Sequence, residues 1–408
     1  MREILALATG FLLIIVMLYK KAQIGTTMFT ASIVMGLLAG FGPLKTLKVI
    51  FASITARATI ELLVVVTIIS ILSFMLQKYG ILNKMADSLE DLFNNNWFSL
   101  MFLPLLVGVL SVPGGAVMSA PVVDSVGDKL KLENLRKSAI NVVFRHIVFF
   151  LFPFSTTMIL TSQLAGLSPY TIIRYNLPMA LVSISAGYML FVKDSVTDAR
   201  GAQSKSDKGI IHRIGAVLMY TSPLWIGIVL NLALGMPFYL ALAPGVAIVY
   251  FLGGKEKEDF LKGIGHGINC KMIYAVAGIM CLQGFIKQMP AIARSINTLL
   301  ESGMDIRILI VLSTAVVGLL TANSTAVMGM LLPLFIPLAA DIGAKAYITS
   351  LIFVSGFLFY FISPLHLCQI FTAEYFDVNV KELYREYRVY WPVLALAMII
   401  MYAFIYQI

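Results

Sequence analysis

The sequence predicts an all-α polytopic membrane protein, with about ten transmembrane helices and two re-entrant helical hairpins in two inverted-topology repeats. Three observations predict it. Of 408 residues, 59% are hydrophobic and 12% charged, with a mean hydropathy of +0.90. A soluble protein is about 25% charged because its cores need a polar shell, so here lipid takes the place of water. Apolar runs recur from residue 4 to residue 406 with no long polar segment between them. The chain also matches itself weakly at an offset of about 210 residues, close to half its length.

A helix crossing about 30 Å of hydrocarbon needs roughly 20 apolar residues. That rule places helices near 4–19, 26–42, 56–77, 138–163 and 171–192, then 212–234, 237–252, 266–287, 346–371 and 389–407. The first keeps a basic start, Met1-Arg2-Glu3, but Tyr19-Lys20-Lys21 is no small-residue cleavage site, so it is expected to stay as a span. Two apolar regions are interrupted. Trp97–Leu110 runs into Ser-Val-Pro-Gly-Gly before Ala116–Val126, and Ile306–Leu320 runs into Thr-Ala-Asn-Ser-Thr before Ala326–Ala340. Each arm reaches only about 15–20 Å, too short to cross comfortably, so both regions read as hairpins with their tips near the bilayer midplane. Irregular backbone at that depth must be buried in protein or line a wet cavity, which makes the tips a candidate site.

The repeat sets the domain organisation. Gly115-Ala116-Val117-Met118 lies over Thr325-Ala326-Val327-Met328, Pro121 over Pro333, Phe150-Leu151-Phe152-Pro153 over Phe361-Ile362-Ser363-Pro364, and Pro178 over Pro392. Residues 1–193 form the first repeat, with its hairpin at about 97–127; 194–211 form a polar linker; 212–408 form the second, with its hairpin at about 306–341. Five spans per repeat turn the second copy upside down. With both termini outside, 19 of the 30 Lys and Arg fall in cytoplasmic loops, Lys137 and Lys193 among them. The first hairpin then enters from the cytoplasm and the second from outside. The net charge of +9 is this loop charge and not a nucleic-acid patch. Cys270, Cys281 and Cys368 lie in apolar segments without CxxC spacing, so neither a disulfide framework nor a zinc site is expected.

At each tip the second arm begins with unpaired N–H groups and a positive dipole end. Gly114 and Gly115 permit close approach at the first tip; Asn323, Ser324 and Thr325 bring an amide and hydroxyls to the second. Two such N-termini can hold an anion, and the free carbonyls near Ser111 and Thr321, with Asn323, can hold a sodium ion. A tight turn and a helix cap are the plainer readings of the same residues. Pro153 and Pro364 interrupt the helices after the hairpins, which makes Ser155, Thr156, Ser363 and His366 candidates for lining the site or for satisfying a kink. Arg145 and His146 are ionisable groups inside a span, with Asn141 one turn before Arg145; Arg145 can meet a carboxylate or snorkel. Glu61, four residues after Arg57, reads as half of a structural ion pair or as a proton carrier.

With Ser-Val-Pro-Gly-Gly-Ala-Val-Met-Ser-Ala-Pro at 111–121 and Thr-Ala-Asn-Ser-Thr-Ala-Val-Met at 321–328, the chain resembles the ion transporter superfamily over nearly its whole length. That group holds divalent anion/sodium symporters, citrate carriers and gluconate permeases, and the resemblance is nearest to a prokaryotic family of unassigned function within it. It implies a homodimer of scaffold and transport domains in the cytoplasmic (inner) membrane, an elevator motion, and import of a small organic anion with no cofactor beyond a sodium ion. The symporters carry Ser-Asn-Thr at both tips, whereas here the second tip has those residue types in another order and the first has Pro-Gly-Gly. One sodium ion or a proton is therefore as good a coupling ion as two sodium ions. An enzyme is not expected: the chain has no HExxH, no GxSxG and no matched pair of intramembrane aspartates. A channel would share the hairpins, but these tips have no rings of like charge.

Overall fold

The computed structural model describes residues 2–93, 96–109, 115–193, 209–253, 256–289 and 301–406, together with Arg294 and Thr298. Regular structure among them is entirely helical. The first half contains α1 (Arg2–Tyr19), α2 (Ile24–Leu38), α3 (Gly42–Thr55), α4 (Arg57–Lys78), α5 (Ile81–Phe93), α6 (Asn96–Gly108), α7 (Gly115–Lys129), α8 (Asn134–Leu151), α9 (Thr156–Ala165) and α10 (Pro169–Gly187), which runs into a π-helix at Tyr188–Val192. The second contains α11 (Ile210–Leu234), α12 (Phe238–Ala241), α13 (Ala243–Leu252), α14 (Lys257–Gly267), α15 (Cys270–Lys287), α16 (Ile306–Thr321), α17 (Ser324–Phe335), α18 (Ile342–Phe361), α19 (Leu367–Tyr375) and α20 (Val380–Ile400), followed by a π-helix at Met401–Ile405.

Among the described residues, eight helical stretches are long and apolar enough to cross a membrane, and they correspond to eight of the ten expected spans. The other two, Ile24–Leu38 and Phe238–Leu252, are shorter apolar helices. The chain is an integral membrane protein. α1, α11, α20 and the π-helix after α20 turn Leu5, Leu12, Ile211, Leu218, Leu396 and Phe404 outward, as helices facing lipid do, while α8 and α18 are buried nearly all round. α6 packs on α7, and α16 on α17, so both interrupted regions are helical hairpins.

The structure also revises several boundaries. α3, α5 and α14 are amphipathic helices that a search for continuous apolar runs passes over; in α5 the buried Ile81, Met85 and Leu89 recur every fourth residue. The helix expected at 389–407 begins at Val380, capped by the Asn379 side chain, because charged residues on one face do not break a helix. Lys137, expected in a cytoplasmic loop, is buried in the first turn of α8.

The order of elements recurs between the two halves. An interrupted pair (α3–α4, then α14–α15) is followed by a hairpin, a buried helix, a break, a short helix, and a long helix ending in π geometry. Contacts recur with it. At Gly108 an added Cβ would lie 2.2 Å from the Arg145 carbonyl oxygen, and at Gly318 it would lie 3.4 Å from the Gly356 oxygen. Arg136 donates to the Phe191 and Leu190 carbonyls in the first π-helix at 3.0 and 2.7 Å; Tyr347 donates to the Tyr402 carbonyl in the second at 2.7 Å. A π-turn leaves carbonyls out of register with the i→i−4 ladder, which gives these donors their partners.

The Lys137 ammonium bonds Asp124 at 2.7 Å and also Asp128, tying α7 to α8. Its side chain is 4% exposed whereas the two carboxylates are 35% and 69% exposed, so the lysine depends on them more than they on it. Asp124→Asn/Asp128→Asn is expected to cost about 1.5–3 kcal/mol of stability, and Lys137→Met much less. Thermal unfolding of the purified variants checks the order.

Candidate functional site

The second tip is built by local chain chemistry. α16 ends at Thr321, whose hydroxyl donates to the Val317 carbonyl at 2.7 Å. Ala322 then takes the left-handed conformation, φ 48°, which turns the chain sharply at some cost for a residue with a Cβ. Asn323 caps α17, its side-chain oxygen accepting the Ala326 N–H at 2.9 Å. The expected cap is therefore present, and it leaves Ser324 and Thr325 to point elsewhere. Both hydroxyls lie 3.1 Å from the Thr157 hydroxyl, in the first turn of α9.

Thr157 is there because the helix breaks before it. Pro153 has no N–H, α8 stops at Leu151, and the chain restarts at Ser155, whose hydroxyl accepts the Met158 N–H at 3.2 Å. The second break mirrors this at Ile362–His366. The Ser363 hydroxyl donates to the Leu319 carbonyl at 2.6 Å, close to the second tip, and the Ser363 carbonyl accepts from Tyr384 at 2.7 Å. The second hairpin thus touches both breaks.

Beside the first break lies a cavity of about 360 Å³. Thr156 lines it, with Ser70, Ser73 and Gln77 of α4 and the segment His266–Met272. That segment is the gap between α14 and α15, an interruption the sequence reading did not anticipate. Ser70 stitches it: its hydroxyl donates to the Gly267 carbonyl at 2.5 Å and accepts the Asn269 N–H at 3.1 Å. The walls therefore offer hydroxyls, two amides and Lys271.

A second polar group is buried between α8, α18 and α19. Lys137, Asn141 and Arg145 follow at fourth positions on one face of α8. Asn141 donates to the Ala116 carbonyl in the first turn of α7 at 3.0 Å and to the Thr372 hydroxyl at 3.1 Å. The Arg145 guanidinium lies beside the Cys368 sulfur. His146 sits at 3.2 Å from the Tyr360 hydroxyl, and the His146 and His366 rings meet edge-on with centroids 4.7 Å apart. Sequence reasoning missed Cys368, Tyr360 and Gln369 as members of this group. Their only signal is that each sits in or near a broken helix.

The candidate residues thus fall into two sets. Asn323, Ser324 and Thr325 form the second tip and Ser363 bonds beside it, whereas Ser155 and Thr156 are neighbours in sequence of Thr157, the residue that meets the tip, and Thr156 lines the cavity. Arg145, His146 and His366 gather with one another, and none of them lines that cavity. Glu61 pairs with Arg57 at 2.8 Å near the exposed start of α4. Gly115 opens α7, while Ser111 and Gly114 lie outside the described residues.

Among solved structures, the fold is similar to that of the Alcanivorax borkumensis YdaH transporter, described as having an unusual topology, with a TM-score of 0.60 and 16% identity over 89% of each chain. No curated protein matches the sequence. Residues 4–407 match one family model, so this helical membrane protein, with its hairpins and broken helices, belongs to the DUF401 family, described as a protein of unknown function.

Proposed function

We propose that the protein is a secondary active transporter for a small organic anion such as a carboxylate, held near the second tip and coupled to sodium or protons. The observation that carries the reading is the second tip's contact with Thr157, one residue from a cavity whose walls offer Ser70, Ser73, Gln77, Asn269 and Lys271. Hydroxyl and amide groups bind carboxylate oxygens, and one cation fixes the sign of the ligand. The fold it shares with the YdaH transporter supports the class. Thr321 and Asn323 are the proposed sodium site. The resemblance of 111–121 and 321–328 to the ion transporter superfamily supports an elevator motion, a homodimer in the cytoplasmic membrane, and inverted repeats at 1–193 and 212–408 with outer termini.

A thermal-shift screen of mono-, di- and tricarboxylates and sugar acids, with and without sodium and at two pH values, tests the substrate class. A ligand at a hundred times its Kd stabilises by about 2.7 kcal/mol, a shift that is readily seen. Lys271→Gln is expected to remove most of that shift while leaving the unliganded midpoint unchanged. If no anion shifts the wild-type protein, the substrate class is wrong.

A further inference from the structure

The group around α8 and α19 has a composition that anion transport does not require. We propose that His146, His366 and Cys368 bind a soft monovalent transition-metal ion, Cu(I), and so tie α8 to the broken segment after α18. One potential ligand atom from each of the three lies within 4.8 Å of the others. An ion at their centre would be about 2.8 Å from each, so the ligands close in by about 0.5–0.8 Å to reach usual metal–sulfur and metal–nitrogen distances. That is within a small change of side-chain torsion.

The imidazoles are held ready. In each, Nδ1 faces a backbone carbonyl, Val142 at 2.6 Å for His146 and Phe361 at 3.2 Å for His366. A carbonyl only accepts, so His146 Nδ1 carries the proton and Nε2 the lone pair, which is how metal-binding histidines are oriented by their outer partners; His366 would take the same tautomer on binding the ion, its Nδ1 facing the Phe361 carbonyl at 3.2 Å and the Gln369 amide nitrogen at 3.4 Å. The Gln369 amide also donates to the Phe361 carbonyl. His146 Nε2 accepts from Tyr360, a hydrogen bond that the ion would replace, whereas His366 Nε2, on a residue only 2% exposed, has no hydrogen-bond partner among the described residues. A buried lone pair without a donor is costly, and a metal ion would satisfy it.

Charge selects the ion. Binding releases the Cys368 proton to solvent, and no electron moves. A thiolate with a monovalent ion is neutral, so binding adds no net charge beside the Arg145 guanidinium. A divalent ion would leave a net positive charge on the site in buried space, which desolvation disfavours. Thiolate with imidazole is also a soft donor set suited to Cu(I).

The test uses full-length protein in detergent under ascorbate, on a Cys270→Ser background that removes the exposed thiol. Cu(I) is supplied in competition with bicinchoninate. One equivalent is expected to bind, with affinity falling at least a hundredfold in Cys368→Ser and in His366→Ala. X-ray absorption of the unsubstituted site is expected to show one sulfur and two nitrogens, a readout that does not depend on the variants folding. No binding, sulfur-only coordination through Cys281, or an affinity indifferent to both substitutions overturns the proposal. Zn(II) bound as tightly by the same residues overturns the choice of a monovalent ion.

Discussion

Asn323→Ala is expected to abolish uptake of whichever anion stabilises the wild-type protein, and Asn323→Ser is expected to show why. The Asn323 side chain caps α17, so alanine also costs about 1 kcal/mol of stability. Serine caps a helix as well as asparagine does, and should restore the unfolding midpoint. It lacks the amide N–H₂, a donor that the cap leaves available beside the second lone pair of the amide oxygen, so uptake should stay at least tenfold below wild type. Full uptake by Asn323→Ser in reconstituted vesicles would reduce Asn323 to a cap and remove it from the site.

Gly108→Ala is expected to be the most damaging small substitution in the membrane core. Its new Cβ would lie 2.2 Å from the Arg145 carbonyl oxygen, a backbone atom of α8 that cannot rotate aside. Separating α6 from α8 would disturb the packing of the first hairpin and shift the helix that carries Asn141, Arg145 and His146. Overpacking of this kind costs about 1–3 kcal/mol. The counterpart Gly318→Ala meets Phe359 Cβ at 3.0 Å and the Tyr360 nitrogen at 3.1 Å, and a shift of a few tenths of an ångström relieves it. Unfolding midpoints in detergent should therefore fall well below wild type for Gly108→Ala and only slightly for Gly318→Ala. Equal tolerance at both positions would contradict the close helix contact.

Much of the fold was legible because lipid imposes a simple rule: backbone groups must be satisfied within each helix, so spans show as apolar runs and their failures as interruptions. The two hairpins and the breaks at Pro153 and Pro364 were visible in this way. The amphipathic α5 and α14 were not, because half of each surface is polar and composition averages the two faces away. The break at Ile268-Asn269 carries no proline; its local marks are the preceding Gly267 and the Asn269 side chain, which caps α15 by accepting the Met272 N–H at 3.1 Å, while Ser70 on another helix satisfies the backbone between them.

The same contrast divides the site. Asn323 caps α17 through a residue three positions along the chain, and local sequence is enough to expect it. The ties from Ser324 and Thr325 to Thr157 span 167 and 168 residues, and the grouping of His146 with His366 and Cys368 spans more than 200. By itself the sequence determined the membrane class, the hairpins, the matched halves and the residue types at each tip, because these follow from hydropathy, proline and capping within a few turns. Only the tertiary structure decided that the second tip meets the first break beside a cavity, and that Arg145, His146 and His366 form a separate buried group. Those pairings depend on which helices pack together, and helix packing is set by surface shape along whole faces such as the one around Gly108.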